Sequence, residues 1–157
     1  METLTMEARM AHPAMVVPGA MEALQGLTTA ARKAGVRRET ALLVQLCASQ
    51  INACSFCCEM HARELREAGC SEERIATVAA WREAPYFTAA ERAALALTEA
   101  ATRLADRPDA VPDDVYAAAA AHYDEQELAG LSLEIAAINV WNRLNAVVRQ
   151  PAGGYAA

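Results

Sequence analysis

Residues 40 to 58, TALLVQLCASQINACSFCC, carry no charged side chain over nineteen positions, so a folded chain has to bury most of them. The stretch is long enough to resemble a membrane span, but polar side chains interrupt it at Gln45, Ser49, Gln50, Asn52 and Ser55. A core helix that runs into a buried site therefore fits this stretch better than a transmembrane helix.

The composition of the whole chain favours helices. Hydrophobic residues make up 54% of its 157 residues and aromatic residues only 5%, because alanine and leucine, both strong helix formers, supply the balance. The sequence contains no internal repeat, so we expect one domain over residues 1–157, with a core motif region at 38–104 and a loose tail at 150–157. The predicted fold class is all-α, a single-domain helical bundle.

The spacing of apolar residues predicts a series of helices and no strand. Gly35 is the expected stop of the first helix, and Asn52 is a plausible cap for the helix that carries the cysteines. The predicted helices cover residues 19–35, 39–50, 54–68, 71–81, 88–103, a short segment after the turn-rich residues 107–114, and 124–148.

The net charge and the first residues of the chain indicate which partners and which location to expect. The formal charge of −6 argues against nucleic acid and anionic membranes as partners, since both bind clustered Lys and Arg. The start, METLTMEARMAHPAM, lacks a basic segment followed by an apolar run, so we expect no secretory signal and a cytoplasmic protein. Five cysteines in a reducing compartment indicate metal binding or redox catalysis rather than a disulfide framework.

Three cysteines and a histidine fall within NACSFCCEMH, residues 52–61. On one helix, Cys54, Cys57, Cys58 and His61 lie within an arc of about 100° and share a face. A thiolate in the first turn meets free backbone amides, which lower the pKa of Cys54, and Cys57 is close enough to form a disulfide with it. His61, one turn above Cys57, can move a thiol proton, so Cys54, Cys57 and His61 are the candidate catalytic residues.

Other interpretations of these cysteines remain open. Three thiols and an imidazole are a conventional zinc set, although one helix presents them in a row and tetrahedral sites usually draw ligands from two segments. We therefore predict no metal site and no bound cofactor. Cys47 and Cys70 are expected to act as small hydrophobes, and packing is the default role for Cys58. The alternative function is a non-catalytic helical scaffold that senses redox state or holds zinc.

Two long stretches of the sequence resemble the AhpD-like branch of the alkylhydroperoxidase and carboxymuconolactone decarboxylase superfamily. They are SQINACSFCCEMHARELREAG (49–69), which contains the C-x-x-C-x-x-x-H signature, and AAWREAPYFTAAERAALALTEAATRL (79–104). A weaker match follows in INVWNRLN (138–145). The resemblance implies an AhpD-like helical bundle with the CxxC at the N-terminus of a core helix, and assembly as a dimer, trimer or hexamer.

The resemblance also implies an activity. Members of this branch are peroxidases that reduce organic hydroperoxides through a disulfide cycle and depend on a thiol or dithiol reductant. Carried over by position, Cys57 would be the peroxidatic thiol, Cys54 the resolving thiol and His61 part of the proton relay. The helix dipole favours Cys54 as the more acidic thiol, so the sulfur that attacks first remains open.

One departure from the family pattern concerns the proton relay. The family often carries a glutamate twelve residues before the first motif cysteine, where this chain has Leu42. Glu39 and Glu59 are the candidates to replace that glutamate, against the simpler interpretation that both are solvated surface carboxylates. Trp141 is expected to be a core or subunit-contact residue, and His12 is expected to be structural.

Overall fold

The computed structural model describes Leu4 and residues 6–153, and helices are the only regular structure in this part of the chain. The α-helices are α1 (Pro13–Val16), α2 (Ala20–Arg32), α3 (Arg38–Ile51), α4 (Ser55–Glu67), α5 (Glu72–Thr77), α6 (Ala89–Thr102), α7 (Asp113–Ala120) and α8 (Glu125–Val148). Short 3-10 turns lie at Val78–Ala80 and Leu104–Asp106. The predicted all-α fold is confirmed. None of the helices described is both long and apolar enough to cross a membrane.

Two helices differ from the sequence-based prediction. The sequence pattern does not indicate α1, because four residues are too few to show a period. A proline in its first turn stabilises this helix, and so does His12, whose Nδ1 accepts the Ala14 N–H at 3.1 Å. The helix predicted over residues 71–81 is α-helical only to Thr77 and continues as the first 3-10 turn. In the predicted tail, the Gly153 N–H donates to Glu59 at 2.6 Å, and residues 154–157 lie outside the described residues.

Helix α3 is the centre of the bundle and packs against α4, α6 and α8. All ten residues from 40 to 49 are buried, which confirms that the uncharged stretch forms a core helix. Helix α8 in turn packs closely on α2, because Gly130 has no side chain: a Cβ there would lie 2.3 Å from the Cβ of Ala34. Helices α2, α3, α4 and α8 together surround the site described below.

One apolar cluster fills the space between α3, α4, α5 and α6, on the side of α3 that carries Leu42. Cys47, Cys70 and Trp81 are buried in it, and Cys58 packs against its edge. Burial raises the pKa of the Cys47 thiol to about 12. These cysteines therefore pack as small hydrophobes, as the sequence predicts.

The end of α3 sets the position of the cysteine motif. Ala53 has a left-handed backbone (φ 53°), its N–H donates to Gln50 O at 3.2 Å, and the Cys54 N–H donates to Ser49 O at 3.0 Å. This pair of bonds is a Schellman motif, which usually has glycine at the left-handed position. Asn52 is thus the C-cap of α3, and the expectation that it caps α4 is wrong, because Cys54 does so.

The end of α4 repeats this motif with the usual residue. Gly69 has φ 83°, its N–H donates to Arg66 O at 2.9 Å, and the Cys70 N–H donates to Leu65 O at 2.9 Å. A Cβ added to Gly69 would meet no described atom within 4 Å, so a substitution there tests the backbone conformation alone. The two ends of the motif helix therefore form a matched pair.

We predict opposite effects from reciprocal substitutions at these two positions. Ala53→Gly should raise the free energy of unfolding by about 1 kcal/mol, because an L-residue with a side chain is strained in the left-handed region, and Gly69→Ala should lower it by about the same amount. Urea unfolding followed by circular dichroism measures both. If Ala53→Gly lowers the stability, the left-handed turn before Cys54 is incorrectly assigned.

Candidate functional site

Cys54 and Cys57 lie at the start of α4, and both are buried. Cys54 is the N-cap residue, and its Sγ accepts the backbone N–H of Cys57 at 3.3 Å. The side-chain amide of Asn145 on α8 reaches both sulfurs, with Nδ2 3.6 Å from Cys54 Sγ and 3.1 Å from Cys57 Sγ. Because one amide nitrogen contacts both, the two sulfurs face the same side of the helix start and neighbour each other.

The two thiols differ strongly in acidity. The pKa of Cys54 is lowered to about 6, chiefly because the Cys57 thiol donates a hydrogen bond to its sulfur, with the Cys57 N–H and the Asn145 amide adding to the effect. The same hydrogen bond, together with burial and the charge on Cys54, raises the pKa of Cys57. Near neutral pH the pair therefore holds one proton and one negative charge, and it titrates as a unit.

His61 is buried one turn above Cys57 on α4. Its Nδ1 lies 2.9 Å from a carboxylate oxygen of Glu64, and this bond lowers the pKa of Glu64. A carboxylate only accepts hydrogen bonds, so in neutral His61 the proton sits on Nδ1 and Nε2 is the acceptor. Among the described residues, that Nε2 has no hydrogen-bond partner. His61 is thus oriented by Glu64 and has a free basic nitrogen.

A cavity of about 800 Å³ lies beside these groups, and both Cys57 and His61 line it. Its apolar wall consists of Met15, Met21, Phe56, Met60, Ile138 and Trp141. Cys54 is not among the described residues at the wall, so Cys57 is the sulfur that a bound molecule meets first. The structure therefore brings together the three side chains that the sequence singles out, and it gives them a chamber of small-molecule size.

Asn145 belongs to a polar stripe on α8 that the sequence analysis missed. Asn139, Asn142 and Asn145 follow each other at intervals of three in a stretch, residues 135–148, whose other residues are apolar except for Arg143. This spacing was the signal in the sequence. Asn52 Nδ2 donates to Asn139 Oδ1 at 3.0 Å and to Asn142 Oδ1 at 2.9 Å, while Asn142 Nδ2 donates to Ser49 Oγ at 3.1 Å. The stripe ties the turn between α3 and α4 to α8.

Neither carboxylate considered as a replacement for the family glutamate is at the cavity. Glu39 lies 3.1 Å from Arg74 and 3.6 Å from Arg37, and Glu59 lies 3.4 Å from Arg63. Both are partly exposed members of ion pairs, which agrees with the simpler interpretation. The sequence analysis missed Gln45 and Glu134, a buried polar pair joined by a hydrogen bond of 2.6 Å from Gln45 Nε2 to Glu134 Oε2.

Two ring-bearing residues contribute to the cavity in a way that the sequence does not indicate. His12 and Trp141 both border the cavity, with ring centroids 5.6 Å apart, so the N-terminal arm forms part of its wall. Trp141 packs against the buried cluster that contains Cys54 and Cys57, as expected for a core residue, and His12 caps α1, as expected for a structural one. Their place at the cavity was not predicted, because nothing in the sequence indicates which helix the N-terminal arm folds against.

The described residues contain no group of three or more His, Cys, Asp or Glu side chains placed to hold a metal ion. Cys58, the third thiol of the proposed zinc set, packs towards the apolar cluster, and burial raises its pKa to about 11. A zinc-holding scaffold therefore has no ligand set in this part of the chain.

We predict that the pair yields one thiolate per chain as the pH rises through about 6, since the lowered pKa of Cys54 means that its ionised form appears above that value. Asn145→Leu removes a donor from both sulfurs and should raise this midpoint by roughly one pH unit. Ultraviolet absorbance of the thiolate, followed during a pH titration, measures the step. Cys54→Ser should abolish it and Cys70→Ser should not; a first thiolate that appears only near the ordinary cysteine pKa of about 8.5 would contradict the assignment.

Comparison with known proteins agrees with this geometry. The model of the carboxymuconolactone decarboxylase family matches residues 18–100. The uncharacterised protein YdfG of Bacillus subtilis (strain 168) is 34% identical over 130 residues, which is 83% of this chain and 87% of YdfG.

Solved structures share the fold. A protein of unknown function from Agrobacterium tumefaciens, described in terms of AhpD and antioxidant defence, superposes with a TM-score of 0.86 at 34% identity, over 93% of this chain and 98% of that one. The debrominase Bmp8, in complex with 2,3,4-tribromopyrrole, shares the fold alone, with a TM-score of 0.76 at 17% identity over 89% of this chain and 74% of that one. The chain is therefore a member of the carboxymuconolactone decarboxylase family with the AhpD-like helical fold.

Proposed function

We propose that this protein is a thiol-dependent peroxidase that reduces organic hydroperoxides through a disulfide between Cys54 and Cys57. The observation that carries the proposal is a pair of hydrogen-bonded thiols with one lowered pKa, one sulfur of which borders a cavity beside a free imidazole nitrogen. A thiolate is the form that attacks a peroxide, and a neighbouring thiol turns the product into a disulfide.

Cys57 is the attacking sulfur in this scheme, because it lines the cavity. Its proton passes to Cys54 along the hydrogen bond that joins them, and the Asn145 amide, 3.1 Å from Cys57 Sγ, stabilises the thiolate that results. The thiolate attacks one peroxide oxygen, the O–O bond breaks, and Cys57 becomes a sulfenic acid while the alkoxide leaves and takes up a proton as the alcohol. Because the pKa of Cys54 is low, the pair carries a negative charge near neutral pH. Because Cys57 lines the cavity, it is the sulfur that reacts.

Cys54 then resolves the intermediate. Its sulfur attacks the sulfur of the Cys57 sulfenic acid, the S–O bond breaks, and the hydroxide that leaves takes up a proton as water. The peroxide has gained two electrons and the pair has lost two. An external thiol or dithiol, which we propose as the partner of this protein, returns the two electrons by exchange with the disulfide.

The wall of the cavity supports an organic rather than an inorganic peroxide. Methionine and aromatic side chains form much of the surface next to Cys57, and such a surface binds the apolar part of a small molecule. His61 and the Asn145 amide also line the cavity, and in this scheme the reacting oxygens lie beside them and Cys57. The Agrobacterium tumefaciens structure, with its description as an antioxidant defence protein, supports the same class of activity.

We predict that one equivalent of cumene hydroperoxide removes two free thiols per chain and that dithiothreitol restores them. Cys57→Ser should abolish peroxide consumption in the presence of dithiothreitol, because no sulfur then faces the cavity. Cys70→Ser, which changes a buried cysteine of the apolar cluster, is the matched control and should keep the activity.

Two outcomes would reject the peroxidase proposal. Turnover retained by Cys57→Ser would show that another group reduces the peroxide. A pair that is oxidised once but does not turn over with the reductant would favour the redox-sensing scaffold instead.

We also propose that the chain forms a homo-oligomer. Three aliphatic side chains, Leu133, Val140 and Val147, recur at intervals of seven along α8 and remain exposed by 39%, 36% and 65%. Such a stripe is typical of a helix face that packs against another helix. Sedimentation of the wild-type protein should show an oligomer that Val140→Glu weakens; a monomer at all concentrations would contradict this proposal.

A further inference from the structure

Three buried polar atoms on the helices that surround the cavity have no hydrogen-bond partner among the described residues: Glu134 Oε1, Gln45 Oε1 and His61 Nε2. The three residues are exposed by only 1%, 5% and 4%. Folded proteins leave few buried polar atoms unpaired, because each costs about 1–3 kcal/mol, so three in one place need an explanation.

These atoms belong to one group. Gln45 Nε2 donates to Glu134 Oε2 at 2.6 Å, and Gln45 lines the same cavity as His61 and Cys57. Glu134 and His61 also interact electrostatically, since a positive charge on His61 lowers the pKa of the Glu134 carboxyl. Gln45 thus links the buried carboxyl of Glu134 to the cavity that Cys57 and His61 line. A carboxyl oxygen, an amide oxygen and an imidazole nitrogen are a suitable set of partners for one buried water.

The surroundings of Glu134 favour its protonated form. Burial raises the pKa of this carboxyl, and the hydrogen bond from Gln45 on α3, the charge of Arg32 on α2 and that of His61 on α4 offset the effect only in part. No ion pair to Glu134 occurs within the described part of the chain, so nothing there neutralises a charge on it directly. A buried carboxyl group of this kind holds a proton that it can release when a stronger base appears nearby.

The proposed thiol cycle lacks one proton. The pair starts with one proton and one negative charge, whereas the products, an alcohol and a water, need two protons beyond the one that the hydroperoxide brings. The pair supplies one of these two. The second has to reach the leaving alkoxide or hydroxide inside a cavity that the protein encloses on several sides.

We propose that Glu134 stores this second proton and delivers it to the leaving oxygen through His61 Nε2, with a water bridging Glu134 Oε1, Gln45 Oε1 and His61. The inference rests on the proposed disulfide cycle. Oxidation leaves the disulfide and an ionised Glu134. When a dithiol reduces the disulfide it brings two protons: one stays on the thiol pair and the other returns to Glu134. In this way the carboxyl is neutral whenever the pair is anionic.

Proton counting during oxidation tests the proposal. In weakly buffered solution at a pH above the pKa of about 6 of Cys54, formation of the disulfide should take up almost no proton from solvent in the wild-type protein. The Glu134→Gln variant keeps the shape of the side chain but has no proton to give. When its disulfide forms, this variant should therefore take up about one proton per chain from solvent. Its turnover with cumene hydroperoxide should also fall by about tenfold or more. Glu125→Gln, an exposed position on the same helix, is the matched control and should behave as wild type.

Infrared difference spectra between the reduced and the oxidised protein give a second readout that needs no variant. The wild-type protein should lose the carbonyl band of one protonated carboxyl on oxidation, and this loss should be absent in Glu134→Gln. An unchanged carboxyl band, with one proton taken from solvent by the wild type, would overturn the proposal. If Glu134→Gln fails to fold, the wild-type spectrum alone decides.

The oxidant separates this inference from the proposed peroxidase activity. Diamide forms the same disulfide without a peroxide and needs the same protons, so both measurements are repeated with it. Reaction with diamide but not with cumene hydroperoxide would refute the peroxidase and leave the proton result standing. Reaction with both oxidants, together with proton uptake by the wild type, would refute only the role of Glu134.

Discussion

The site depends on a turn in which Cys54 completes one helix and begins the next. Its backbone N–H donates to Ser49 O at 3.0 Å and so closes α3. Its sulfur accepts the N–H of Cys57, in the first turn of α4, at 3.3 Å. The turn requires a left-handed backbone at Ala53, a strain of roughly 1–2 kcal/mol for a residue with a side chain. The chain accepts this strain because the turn fixes the distance and the direction between the two thiols.

Helix α8 converts this turn into a chemically useful site. Its asparagines satisfy the polar groups of the turn. Asn145 gives a single donor to two sulfurs, so a hydrogen bond stabilises a charge on either thiol. Hydrogen bonds to ionised groups in a buried site are stronger than neutral ones, which accounts for the lowered pKa of Cys54. The same helix contributes Glu134, which is buried and hydrogen-bonded to Gln45 on α3. One surface helix therefore holds the turn, stabilises the anion and supplies a carboxyl.

The spacing of residues along one helix predicted the part of the site that lies on that helix. It did not predict the contacts that residues distant in the sequence make with the site. The shared face of Cys57 and His61 follows from the helical period, and the family resemblance added the fold. Cys58, which was expected on the same face, packs against the apolar cluster instead. Asn145 contacts the sulfurs across 88 and 91 residues of sequence, and no spacing rule reveals such a contact. Glu134 reads as an isolated charge in an apolar helix until α3 is seen to pack on it. Asn52 was assigned to the start of α4 instead of the end of α3 because Ala53 occupies the left-handed position where glycine is the usual signal.

The central claim is that Cys54 and Cys57 form one redox unit, and mapping the oxidised bond tests it most directly. The protein is treated with one equivalent of hydroperoxide, blocked with an alkylating agent, digested without reduction and sequenced by mass spectrometry. The account predicts a peptide that has lost two hydrogens, with Cys54 and Cys57 joined and Cys58 alkylated. A bond that uses Cys58, or Cys57 found as a sulfinic acid beside a free Cys54, would contradict it.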